Sequence, residues 1–169
     1  MSKHILMIIA SHDFRDEEFL VPKHKFEEKG YQVTVASSSL NPSKGILGAV
    51  VKPDCLLQNV AVEDFDAVVY VGGHGASEYW EDPVAHQLAQ KAAATQKLVS
   101  AICVAPVTLA NAGLLNGKKA TVWVSEVAKI KQKGASVVKG QVVEDGKIIT
   151  ANGPGAAQEF AEKIIQSLG

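Results

Sequence analysis

The sequence predicts an α/β fold, a mostly parallel sheet with helices on both faces. Short apolar runs rich in Val, Ile and Ala alternate with longer stretches of helical period, the pattern that buried parallel strands and crossover helices impose. At 169 residues the chain is long enough to enclose such a sheet and too short for two ordinary domains, so residues 1–169 are expected to form a single domain.

His4 to Ala10 is the first expected strand, and Glu17 to Lys29 the first helix, closed by Gly30. Tyr31 to Ala36 is the second strand. From Gly45 to Asp54 the alternation suggests a hairpin or edge ribbon, with Pro53 arguing against a central strand. Asp66 to Val71 is a continuous apolar run of buried-strand length that ends in Gly72 and Gly73, as a strand entering a tight loop would. Pro83 to Gln96 reads as a helix capped by Asp82, and Lys97 to Ile102 as the next strand. Cys103 follows at once, before a short helix from Val104 to Ala112. Val124 to Lys133 is another helix. Gln141 to Glu144 and Lys147 to Ala151 pair around Asp145-Gly146, and Gly155 to Leu168 closes the chain as a helix.

Composition narrows the partners. Seventeen Lys and Arg against 18 Asp and Glu leave no electrostatic footprint for nucleic acid or an anionic membrane, so a small-molecule substrate and further copies of the chain are the expected partners. The N-terminal apolar run is too short to span a bilayer and lacks a small-residue cleavage site, which reads as a strand rather than an export signal. With two cysteines only, Cys55 and Cys103, a disulfide framework is not expected, and a reduced cytoplasmic setting is. No spacing argues for a metal, and no glycine or lysine pattern for a nucleotide, so no cofactor is expected.

The chemistry concentrates at Cys103. In Ala101-Ile102-Cys103-Val104-Ala105 small residues stand two before and two after the cysteine, as a strained strand-to-helix elbow requires, and the spacing resembles G-x-S-x-G with sulfur for oxygen. A thiol at a helix N-terminus is expected to favour thiolate, hence nucleophilicity and oxidation; the plain alternative is a buried structural cysteine. Gly72-Gly73-His74-Gly75 ends a neighbouring strand, so its amides would share a rim with Cys103 and form an oxyanion site, unless the segment is only a tight turn. His74 is a candidate base there, against the common role of a loop histidine as a solvated or capping residue. Tyr79 and Trp80 lie just beyond and would line a pocket, a subunit contact or ordinary core.

Phe14-x-Asp16-x-Glu18 after the first strand, Gly72-Gly73, Ala101-Ile102-Cys103-x-x-Pro106 and Gly153-Pro154-Gly155, in this order over essentially the whole chain, resemble the ThiJ/PfpI superfamily. The resemblance implies a flavodoxin-like three-layer sandwich, an assembly of two or more copies, and an acid beside the elbow cysteine. The matching acid is Glu18, whose protonated carboxyl would donate to the sulfur and stabilise a thiolate or sulfinate. Amides near Gly73 and Val104 would hold an oxyanion. The sequence departs from the pattern where many members carry a histidine after the cysteine, here Val104, and where others carry one further on, here Trp123. Of the possible substitutes His12, His24, His74 and His86, His12 and His74 are the candidates because they follow strands on the expected rim, with His12, Asp16 and Trp123 as possible auxiliaries. These departures weigh against peptidase activity, which must protonate a poor leaving group. Three readings follow: covalent chemistry on small electrophilic carbonyls or related small molecules, of glyoxalase, deglycase or hydratase type; a redox sensor oxidised at Cys103; or a chaperone-like scaffold that merely keeps the elbow.

Overall fold

The computed structural model describes residues 2–169. Its main sheet has seven strands: β1 (His4–Ile8), β2 (Gln32–Ser37), β5 (Cys55–Leu56), β6 (Ala67–Tyr70), β7 (Leu98–Ile102), β10 (Val142–Asp145) and β11 (Ile148–Ala151). Their spatial order is β10-β11-β7-β6-β1-β2-β5, and every neighbouring pair is parallel except β10 with β11. This is the expected flavodoxin-like α/β architecture. Two-residue strands make up the rest: β3 (Ser43–Lys44) with β4 (Val50–Val51), the expected hairpin, and a parallel pair of β8 (Lys119–Ala120) with β9 (Ser136–Val137).

The central strands alternate between two cores. Ile5, Met7 and Ile9 of the β1 segment face the helices α1 (Asp16–Glu28) and α5 (Ala157–Leu168), where they join Phe19, Phe26, Phe160 and Ile164. Leu6 and Ile8 face the opposite way, toward α2 (Pro83–Ala94), α3 (Pro106–Asn111) and α4 (Val127–Gln132), with Leu88, Leu109 and Ile130. A period of two along each buried strand therefore feeds both helical layers. The core is thus in two parts, one on each face of the sheet. Asp82 caps α2 as expected, its carboxylate accepting from the Ala85 amide at 3.2 Å with Pro83 in the first turn.

Three local expectations change. Cys55–Leu56 extends the main sheet as an edge strand beside β2, just beyond Pro53. The helices expected from Val104 and Gly155 begin later, at Pro106 and Ala157, and that expected from Val124 opens with a 3₁₀ turn before α4. The segment after Gly73 is a 3₁₀ helix, His74–Tyr79, rather than a plain loop.

Candidate functional site

The candidate site residues gather where the sheet order reverses. From β1 the chain moves to β2 on one side and later returns to β6 on the other, so a crevice opens at the strand ends between them. The segment after β1 brings Arg15 and Glu18, that after β6 brings Gly73 and His74, and that after β7 brings Cys103. Cys103 has φ of 67°, a left-handed conformation that side chains other than glycine seldom adopt. Its backbone is held on three sides. Its amide donates to Ala151 O at 2.9 Å, its carbonyl accepts from the Trp123 amide at 2.7 Å, and the next carbonyl, Val104 O, accepts from Trp80 Nε1 at 3.1 Å. The elbow predicted from small flanking residues is therefore present and braced by two tryptophans.

Glycine at 72 and 73 is a matter of space. A Cβ on Gly72 would stand 2.6 Å from both Cys103 Cβ and Ile102 O and would also strike the Glu18 carboxyl. Gly73, at φ 103°, lies against the backbone of Asp13 to Arg15, and the Arg15 amide donates to Gly72 O at 2.9 Å. The loop after β1 and the glycine loop thus pack backbone to backbone, which brings Glu18 beside the thiol.

Glu18 is fully buried, and neither carboxyl oxygen has a hydrogen-bond partner among the described residues. The polar groups facing it are the Cys103 sulfur and the Gly72 amide. Burial pushes its pKa up to about 8, against the opposing pull of the Cys103 side chain and the Arg15 guanidinium. Burial also pushes the Cys103 thiol up to about 12, with a charged Glu18 adding to the rise and the Gly73 and Val104 amides opposing it. The depressed thiol pKa expected from a helix end is thus outweighed: α3 begins three residues past the sulfur, and desolvation is the larger effect. The two groups form one coupled site in which a second charge meets both burial and repulsion. Glu18 keeps its proton near neutrality and gives it up before the thiol does, and the two amides lessen the cost of a negative sulfur without reversing that order.

A cavity of about 150 Å³ opens over the sulfur. Gly73, His74, Cys103 and Val104 line it, and Trp123 forms part of its wall. Arg15, Ile46 and Pro154 complete it and were not singled out by sequence. Arg15 pairs with Glu17 through two bonds of 2.9 and 3.0 Å, and its charge acts on both Glu18 and Cys103. Ile46 arrives on the ribbon, its amide donating to Phe14 O at 3.0 Å.

Two auxiliaries lie apart from the thiol pocket. Asp16 spends both oxygens on the ribbon, accepting from the Leu47 and Ala49 amides at 2.7 and 2.8 Å, so it positions a loop rather than facing the pocket. Burial opposes its charge, but these amides hold its pKa below the ordinary carboxylate value. His12 is exposed beside Asp13, 3.3 Å away. His24 lies on the outer surface of α1 near Glu28, and His86 Nε2 sits 2.7 Å from Trp80 O. Among the described residues no group of acids, histidines and cysteines is arranged to hold a metal, and no helix is long and apolar enough to cross a membrane.

A family model described as the DJ-1/PfpI family matches residues 3–167. The chain belongs to the DJ-1/PfpI family. It is 39% identical over 167 residues to an uncharacterized protein of Methanocaldococcus jannaschii, with 97% of this chain and 82% of that one aligned. It is 32% identical to a glutathione-independent glyoxalase of Caenorhabditis elegans, covering 98% of this chain and 89% of that one. A protein of Pyrococcus furiosus named deglycase PfpI is 28% identical, over 96% and 98% of the two chains. Among solved structures, a ThiJ/PfpI domain protein from Brachyspira murdochii superposes with a TM-score of 0.97 at 33% identity, covering 99% of this chain and 96% of that one.

Proposed function

We propose that this DJ-1/PfpI protein converts small 2-oxoaldehydes, of which methylglyoxal is the simplest, into 2-hydroxy acids through Cys103, with Glu18 moving the protons. The observation that carries this reading is the buried Glu18 carboxyl, protonated up to about pH 8, beside a thiol at a strained elbow faced by two backbone amides. The names of the worm glyoxalase and the archaeal deglycase support the same class of substrate. The cavity supports it too: about 150 Å³ is below the roughly 300–1,000 Å³ of sites for drug-sized ligands, so it suits a compound of few atoms.

The sulfur adds to the aldehyde carbon and a C–S bond forms. Its proton passes to Glu18 as the carboxyl gives its own to the developing alkoxide, which the Gly73 and Val104 amides stabilise. Glu18, its proton released to water, then removes the proton from the same carbon to leave an enediolate and returns it to the neighbouring carbon, while the hydroxyl proton on the first carbon moves to the second oxygen. One carbon is oxidised, the next is reduced, and Glu18 regains its proton from water. The resulting thioester is cleaved by water, which releases the 2-hydroxy acid and restores the thiol.

Methylglyoxal consumption coupled to lactate formation tests this. Cys103→Ser and Glu18→Gln should each lose at least about 100-fold in kcat/KM, the low end of what an acid/base group supplies. Lactate formation that survives Cys103→Ser would sink the proposal. A redox role is the second reading, favoured by the same neutral carboxyl, which is placed to donate to a sulfinate oxygen after peroxide oxidises Cys103. It predicts stoichiometric gain of two oxygen atoms at Cys103 without turnover.

A further inference from the structure

Beside the thiol pocket lies a second cavity of about 220 Å³, lined by Val122, Trp123, Val124, Asn152, Gly153 and Pro154 among others. The two cavities share Trp123 and Pro154, so the indole and the proline ring are their common wall. We infer that this second cavity is a subsite for a flat apolar substituent on the carbonyl substrate, and that the Trp123 indole decides which substrates reach it. The inference rests on the carbonyl reading for its substrate class, but not for the partition itself.

The lining fits such a group. It is apolar side chains, a proline and glycine backbone, with the Asn152 amide as the polar exception, and an indole face stacks well on a planar ring. Packing leaves the indole one fixed side and one open side. A Cβ on Gly153 would stand 2.9 Å from Trp123 Cε3 and Cζ3, so the ring rests directly on the glycine backbone. Yet Trp123 is 41% exposed and the adjacent Val124 77%, an apolar pair left at the mouth of the site. The Trp123 backbone is pinned, since its amide donates to Cys103 O at 2.7 Å. Motion of the wall is therefore confined to the side chain, whose displacement or truncation joins the cavities without disturbing the elbow. Trp123 thereby acts as a specificity residue in the position where a family histidine would be a proton carrier.

The test needs no turnover. Cys103 alkylation by iodoacetamide and by a bulky N-naphthyl iodoacetamide is followed by peptide mass spectrometry, with Cys55 as internal control. In the native protein Cys103 should prefer the small reagent far more than Cys55 does. Trp123→Ala should shrink the Cys103 preference about tenfold, the scale on which pocket walls discriminate by size, and leave Cys55 unchanged. Trp123→Leu, which keeps an apolar side chain on Gly153, should shrink it less and serves if Trp123→Ala fails to fold. An unchanged Cys103 preference in the folded variants overturns the partition. Phenylglyoxal and methylglyoxal are then compared as substrates, and the phenylglyoxal to methylglyoxal ratio of kcat/KM should rise in the same order. If no variant turns over either compound while the alkylation pattern holds, the carbonyl reading falls, taking the named substrate class with it, and the partition stands.

Discussion

A buried carboxyl without a hydrogen-bond partner is costly to ionise, and Glu18 is such a carboxyl among the described residues. The sign of its linkage follows from the direction of its shift. A pKa raised from 4.5 to about 8 means that the folded state favours the protonated form. The stability this confers is complete below about pH 4.5 and is lost as the pH rises through 8. Glu18→Gln removes the titration, so the native protein's stability relative to that variant should fall between pH 4.5 and 9. Each pH unit between the two values is worth about 1.4 kcal/mol, a few kcal/mol in all. Urea unfolding of both proteins across that range checks it; a difference that does not vary with pH would mean that Glu18 is ionised in the fold. Cys103 and the glycine pair were legible in the sequence because their residue types and spacing record the elbow and its neighbours, whereas Glu18, one of several acids opening a helix, stood out only through the resemblance to the ThiJ/PfpI superfamily. Arg15 and Ile46 were not. Their place in the pocket comes from a ribbon folding back over the loop after β1, a long-range packing event that leaves no local periodicity.

At the scale of elements, short pieces do the positioning. The ribbon of β3 and β4 has only two residues in each strand, too few to be independently stable, and its turn hangs from Asp16. A carboxylate that accepts two amides also sets the height of Ile46 over the thiol. Asp16→Ala leaves the Leu47 and Ala49 amides without that acceptor and should cost about 1–3 kcal/mol, with faster hydrogen exchange at both positions. It should also raise access of alkylating agents to Cys103. Protection at Leu47 and Ala49 that equals the native protein's would show that the ribbon is held by something else. The same shortness hid Cys55–Leu56, Lys119–Ala120 and Ser136–Val137 from the sequence, since two residues cannot display a period of two. The long apolar runs of β6 and β7 and the capped α2 stood out because each carries many consistent signals at once.

Across the whole molecule, the two ends of the parallel strands carry different side chains. A larger cavity, about 450 Å³, lies at the N-terminal ends, where Lys3, Asp66, Lys97 and Lys147 precede β1, β6, β7 and β11. Size does not single out the candidate site: the larger cavity has no cysteine in its lining, while the smaller one is lined by Cys103, with Glu18 buried beside the thiol, at the opposite rim, where a parallel α/β sheet places its ligands. The five residues of β7 separate the rims by roughly 16 Å, beyond the screening length of about 8–10 Å for exposed charges at physiological salt. Lys97→Ala and Lys147→Ala should therefore leave the pH profile of Cys103 alkylation unchanged and alter stability by no more than about 0.5 kcal/mol each. Measured beside Glu18→Gln, they separate a local electrostatic effect from a global one. A profile displaced by either lysine would mean that the thiol responds to the charge of the whole molecule, and the tuning assigned to Glu18 and the two amides would have to be shared with it.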